Sequence, residues 1–101
     1  MDQQQIQEKL AELWRQHLPE IQERVGVLER ACAVLETRRL SGEERQTAVA
    51  AAHKLAGGLG TFGRMRGTQL AREAEAMLES GKPEWEPMRS LLRQLREIVG
   101  K

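Results

Sequence analysis

Ser41-Gly42-Glu43-Glu44-Arg45-Gln46-Thr47-Ala48-Val49-Ala50-Ala51-Ala52-His53-Lys54-Leu55-Ala56-Gly57-Gly58-Leu59-Gly60-Thr61-Phe62-Gly63 decides how the chain folds. Ser41 stands three residues before Glu44, the spacing of a capping box, in which each side chain satisfies a free backbone N–H of the other. A helix started there advances about 100° per residue, so Ala48, Ala52, Leu55 and Leu59 form one apolar stripe that enters a core. His53 lies roughly 140° from the centre of that stripe and is predicted to face solvent. Gln46, Ala50, Gly57 and Gly60 share its side. Gly57 is the i+4 neighbour, stacked beside the ring. Glycine within a helix costs about 1 kcal/mol relative to alanine, so each one calls for a reason. Gly58, Gly60 and Gly63 suit a helix end and a turn. Gly57 fits that reason less well. With Ala50 and Gly60, it would keep the surface around His53 clear for another protein to close over the ring.

Working outward, the same period continues on both sides. Ile6, Leu10, Leu13, Trp14, Leu18, Ile21, Val25, Leu28, Cys32 and Leu35 recur at three- and four-residue steps. Pro19 interrupts them, and a proline inside a helix removes one hydrogen bond and crowds the preceding turn. Either one helix kinks near Leu18, or a short segment over residues 1–18 gives way to a second at Pro19; the two-segment reading is preferred. Trp14 is expected to pack this segment onto the bundle, and His17 to be an ordinary half-exposed residue. Arg38 and Arg39 suit the negative end of the helix. After the glycines, a third helix is predicted from Arg64 or Met65, with Leu70, Ala74, Met77 and Leu78 inward and a stop at Ser80-Gly81. Lys82–Pro87 makes the last turn. The final helix then turns Met88, Leu91, Leu92, Leu95, Ile98 and Val99 inward. Phe62 is expected to plug the core beneath the turn before helix three.

The prediction is an all-α fold: an up-and-down antiparallel four-helix bundle with an N-terminal helical extension or a kinked first helix. It forms a single domain over residues 1–101, with residues 19–99 as the main bundle. A length of 101 residues supports one small core. Sixteen Lys and Arg against fifteen Asp and Glu leave a formal charge of +1, which gives no bulk attraction to nucleic acid. Cys32 is alone, so no intrachain disulfide forms, and a reducing cytoplasm is the expected compartment. No apolar run approaches a membrane span. Gly58-x-Gly60-x-x-Gly63 matches a dinucleotide fingerprint as a pattern, but a helix precedes it where that motif requires a strand. No phosphate-binding lysine loop is present either, so the chain cannot phosphorylate itself from ATP unaided. No metal-ligand spacing is found.

His53-Lys54-Leu55-Ala56-Gly57-Gly58-Leu59-Gly60-Thr61-Phe62-Gly63 resembles the signature of histidine-containing phosphotransfer (HPt) domains, most of all that of bacterial chemotaxis-type kinases. The similarity extends into the Gly67–Leu78 helix and over most of the chain. It implies a helical bundle whose His53 carries a phosphoryl group to or from an aspartate of a response-regulator receiver domain. It also implies that Glu75 holds the tautomer and orientation of the ring. By itself Glu75 reads as one more solvated charge in Arg72-Glu73-Ala74-Glu75. Many members carry a lysine three residues after the histidine; here Ala56 stands there, and the lysine is Lys54, which is adjacent in sequence and so does not face His53. Arg72, where chemotaxis kinases often have a second histidine, supplies the missing charge or is merely solvated. Arg64 and Arg66 would form a basic rim that speeds docking, or are two solvated arginines starting a helix.

The function so implied is that of a carrier, not an enzyme, in a two-component phosphorelay. Its partners would be a histidine kinase, a receiver, or both; it would bind no cofactor, the partner supplying magnesium. Neither nucleic acid nor membrane is an expected partner, and a monomer is favoured. The competing readings are a receiver-binding module that works without phosphorylation, to which Ala56 lends support, and a structural helical bundle.

Overall fold

The computed structural model describes residues 2–100. Four helices follow one another: α1 (Gln3–Leu35), α2 (Gly42–Thr61), α3 (Met65–Glu79) and α4 (Trp85–Val99). Each packs on its neighbours in the order α1–α2–α3–α4 and α4 closes back onto α1, while the diagonal pairs do not meet. The expected antiparallel bundle is therefore formed. Ile21, Val25, Leu28, Leu55, Leu59, Leu70, Leu78, Met88, Leu95 and Val99 fill its centre.

The first helix corrects one expectation. It runs unbroken from Gln3 to Leu35 with Pro19 inside it, so no helix break separates residues 1–18 from the rest. The carbonyl that loses its N–H partner is that of Arg15, and Arg15 and Pro19 are both exposed, so water can supply the bond that the ring denies. At about 1.5 Å per residue, 33 residues span about 50 Å, matching the 52 Å long axis of a molecule only 22 Å and 21 Å across. The N-terminal part of α1 thus extends past the bundle as a continuous helix, and residues 2–12 are all exposed. Leu13 and Trp14 are the first to be partly covered.

Two devices fix α2, the helix that carries His53. At its start, Ser41 Oγ accepts from the Glu44 N–H at 3.0 Å and the Glu44 carboxylate accepts from the Ser41 N–H at 2.8 Å, the capping box read from the sequence. The Arg38 guanidinium also grips Glu44 through two bonds of 2.8 and 2.9 Å. That pairing, reinforced by the Ser41 N–H, holds the Glu44 carboxyl at about 2, down from its ordinary 4.5. At its end the helix runs to Thr61, so Gly57, Gly58 and Gly60 are helical residues, and Gly58 and Gly60 are not the cap expected of them. The turn glycine is Gly63 alone, at φ +72°.

The close approach of α3 explains Gly60 and Gly67. A Cβ on Gly67 would lie 3.0 Å from Leu59 Cδ1, and one on Gly60 would lie 3.3 Å from Thr68 Oγ1. Thr68, the one buried polar residue among those described, donates its hydroxyl to the Ala56 carbonyl at 3.0 Å. Beneath the α2–α3 turn, Phe62 is half-buried and meets the Trp14 ring edge-on at 5.4 Å, so it ties the turn to α1 rather than plugging the core. Cys32 is buried, and its burial pushes the thiol up from its ordinary value.

Candidate functional site

Helix periodicity alone sets His53 outward; its side chain is 77 % exposed. On the neighbouring helix, Ala71, Ala74 and Leu78 face the core, and this rotation turns Glu75 toward α2 at the surface. The two side chains meet there: His53 Nδ1 lies 3.2 Å from Glu75 Oε2. An ionised carboxylate only accepts, so a hydrogen bond across this contact requires the proton on Nδ1. In the neutral ring the lone pair then belongs to Nε2, on the edge facing away from Glu75. The contact joins side chains from two helices, so it depends on tertiary structure and not on α2 alone.

The surroundings are open. A Cβ added at Gly57 would meet nothing within 4 Å, and the residue is exposed. Its conformation is ordinary helix, so neither packing nor backbone strain accounts for a glycine there. Gly60 differs: its neighbour is Thr68, and helix packing explains its lack of a side chain. Ala50 lines a shallow cavity of about 350 Å³ between α2 and α3 together with Arg45, Val49, His53, Glu75 and Glu79. Arg45 and Val49 were not among the residues singled out from sequence. The signal was present, since they lie eight and four positions before His53 on one helix.

The cations separate into those that are free and those already engaged. Ala56 is buried, so the position of the family lysine presents no charge toward the ring. Lys54 is exposed on the stripe that also holds Gly58, which lines a cavity against α1, whereas Glu75 reaches His53 from α3 on the other flank. Arg72 is exposed one turn before Glu75 and, among the described residues, makes no ion pair. Arg64 and Arg66 do not form a rim beside His53. The Arg64 guanidinium stacks over Trp14 at 4.4 Å, and Arg66 donates to Gln94 on α4 at 3.0 Å. Among the described residues no group of three His, Cys, Asp or Glu side chains is placed to hold a metal ion, and no helix is long and apolar enough to cross a membrane.

A bundle presenting one oriented, exposed histidine at mid-helix defines a class, and comparison with known proteins agrees with it. The model of the Hpt domain family matches residues 12–100, and the chain belongs to that family. Protein RcaC of Microchaete diplosiphon is 33 % identical over 101 residues, a match that covers 96 % of this chain and 16 % of the relative. The chain thus spans about a sixth of the length of the curated relative it matches. No solved structure matches it. The family match begins at residue 12, so the exposed start of α1 lies outside it.

Proposed function

We propose that the protein is a phosphoryl carrier of a two-component phosphorelay, with His53 as the acceptor and a receiver-domain aspartate as donor or recipient. The observation that carries this reading is the 3.2 Å contact of His53 Nδ1 with Glu75 on an adjacent helix, which leaves the outward Nε2 as nucleophile. The Nε2 lone pair attacks phosphorus in line with the departing aspartate oxygen. The N–P bond forms, the P–O bond breaks, and the aspartate leaves as a carboxylate. The ring keeps its Nδ1 proton and gains positive charge, which the Glu75 carboxylate offsets. Return of the group to a receiver reverses each step, so Glu75 serves both directions as a positioning residue. Gly57 gives the partner's active site room to close over the ring.

Magnesium and most of the catalysis belong to the partner in this scheme; this chain contributes geometry. Arg72, unpaired and on the same helix as Glu75, is better placed than Lys54 to meet the oxygens of the phosphoryl group. The test is phosphoryl uptake from a panel of stand-alone receiver domains charged with acetyl phosphate, together with a chemotaxis-type kinase catalytic domain. Wild type should gain an acid-labile, base-stable label and His53→Gln none. Receiver binding without label on the wild type would leave only the phosphorylation-independent module.

A further inference from the structure

The end of the bundle that holds the α1–α2 and α3–α4 turns carries an unbalanced set of cations. A cavity of about 500 Å³ is lined there by Arg38, Arg39, Arg45 and Lys82, with Leu35 and Leu40, and no carboxylate is in its wall. Arg38 is neutralised by its two bonds to Glu44. Arg39, Arg45 and Lys82 are exposed and, among the described residues, none makes an ion pair. Like charges gathered without counter-ions oppose folding slightly, so they contribute nothing to the bundle itself.

Arg45 also lines the cavity that contains His53, so the two hollows adjoin through one side chain. Eight residues of helix separate Arg45 from His53, about 12 Å. A protein partner of standard size covers about 800 Å² on each side, a disc of roughly 16 Å radius. A partner centred on His53 therefore reaches Arg45. Glu75 is taken by His53, which leaves Glu79, among the described residues lining the two cavities, as the single unpaired carboxylate against three unpaired cations. At the opposite end Arg64 and Arg66 are engaged with Trp14 and Gln94.

We infer that the protein's phosphotransfer partner docks from His53 toward the α1–α2 turn, laying an acidic surface on Arg39, Arg45 and Lys82. This rests on the carrier reading and adds the direction of approach and the charge that guides it. Exposed complementary charge acts chiefly on the rate of encounter and is screened by salt.

The test pairs two charge-matched triple variants: Arg39→Glu/Arg45→Glu/Lys82→Glu, and Lys9→Glu/Arg15→Glu/Arg93→Glu, whose three residues are exposed, unpaired among the described residues and line neither cavity. Helix content by circular dichroism verifies that both fold. Transfer from a phosphorylated receiver domain is timed at 25 and 300 mM NaCl, roughly a 14 Å change in screening length. In parallel, backbone amide shifts on adding that receiver to His53→Gln map its footprint. The first variant should lose about tenfold in second-order rate at low salt and most of its salt dependence, with the final extent of labelling unchanged. The second should stay within about twofold. The footprint should include residues 39, 45 and 82. Equal losses in both variants, or shifts running from His53 to Arg64 that spare those three, would overturn the inference while the label on His53 stands. A receiver that neither binds nor transfers would remove the carrier reading with it. Equal shifts at residues 39, 45 and 82 with inorganic phosphate alone would show a small-anion site in place of a docking surface.

Discussion

The molecule holds two histidines, and they differ less in exposure than in what holds them. His53 and His17 have side chains 77 % and 53 % exposed, and each has a glutamate near Nδ1. Glu20 is three residues along the same helix as His17 and stands 3.9 Å away, beyond hydrogen-bond reach. Glu75 comes from another helix and is at 3.2 Å. Phe62 lies 5.9 Å from the His17 ring, whereas the i+4 neighbour of His53 is a glycine open to solvent. Exposure and a nearby acid are therefore common properties of a surface histidine. A carboxylate within hydrogen-bond reach from another helix, beside an open i+4 glycine, distinguishes one of the two, and of these only the carboxylate is supplied by tertiary packing.

The comparison breaks most simply by exchange of roles. His53→Gln should abolish phosphoryl uptake, and His17→Gln should leave it unchanged; label lost with His17→Gln would invert the assignment. Glu75→Ala should slow transfer by about 10- to 100-fold, by analogy with the range found where outer-shell partners orient metal-ligating histidines. If Glu75 acts through the ring alone, receiver affinity should stay within about twofold, which separates positioning from docking. Gly57→Leu sharpens the contrast further. It replaces a poor helix former by a good one where a Cβ meets nothing, so thermal stability should rise, by up to about 1 kcal/mol. Transfer should nonetheless fall about tenfold as the side chain blocks closure. A stabilised variant with full activity would mean that Gly57 clears nothing.

The smallest effect concerns the start of α2. Glu44 is held at about 2 in the folded chain, below its ordinary 4.5. A depressed carboxyl stabilises fully above its unfolded value, and that contribution is lost as pH falls from about 4.5 toward 2. Thermal melts across that window should therefore show a shallower pH slope for Glu44→Gln than for wild type. An unchanged slope would show that the cap is too exposed to matter.

Much of this was legible in the sequence because helical period and capping are local. Ser41 and Glu44 announced α2, and the stripes of α3 and α4 emerged where they were expected. Pro19 misled because a proline's cost depends on which way its missing bond faces, and that follows from the bundle. Gly58 and Gly60 misled in a similar way. Their composition suggests a helix end, yet Gly60 is shaped by Thr68 of another helix. At the site, the outward turn of His53 followed from helix period, whereas Glu75, by itself one more solvated charge, was singled out only by the family resemblance. The engagement of Arg64 with Trp14 and Arg66 with Gln94 could not be read, since both partners are distant in sequence. The unpaired state of Arg39, Arg45 and Lys82 was hidden for the same reason.

The measurement that bears most directly on the central claim is the position of the phosphoryl group on the ring. Protein labelled with nitrogen-15 in histidine and then phosphorylated by a receiver should show phosphorus coupled to Nε2 of His53, with Nδ1 still protonated toward Glu75. Phosphorus on Nδ1 of His53, or on His17, would contradict the account.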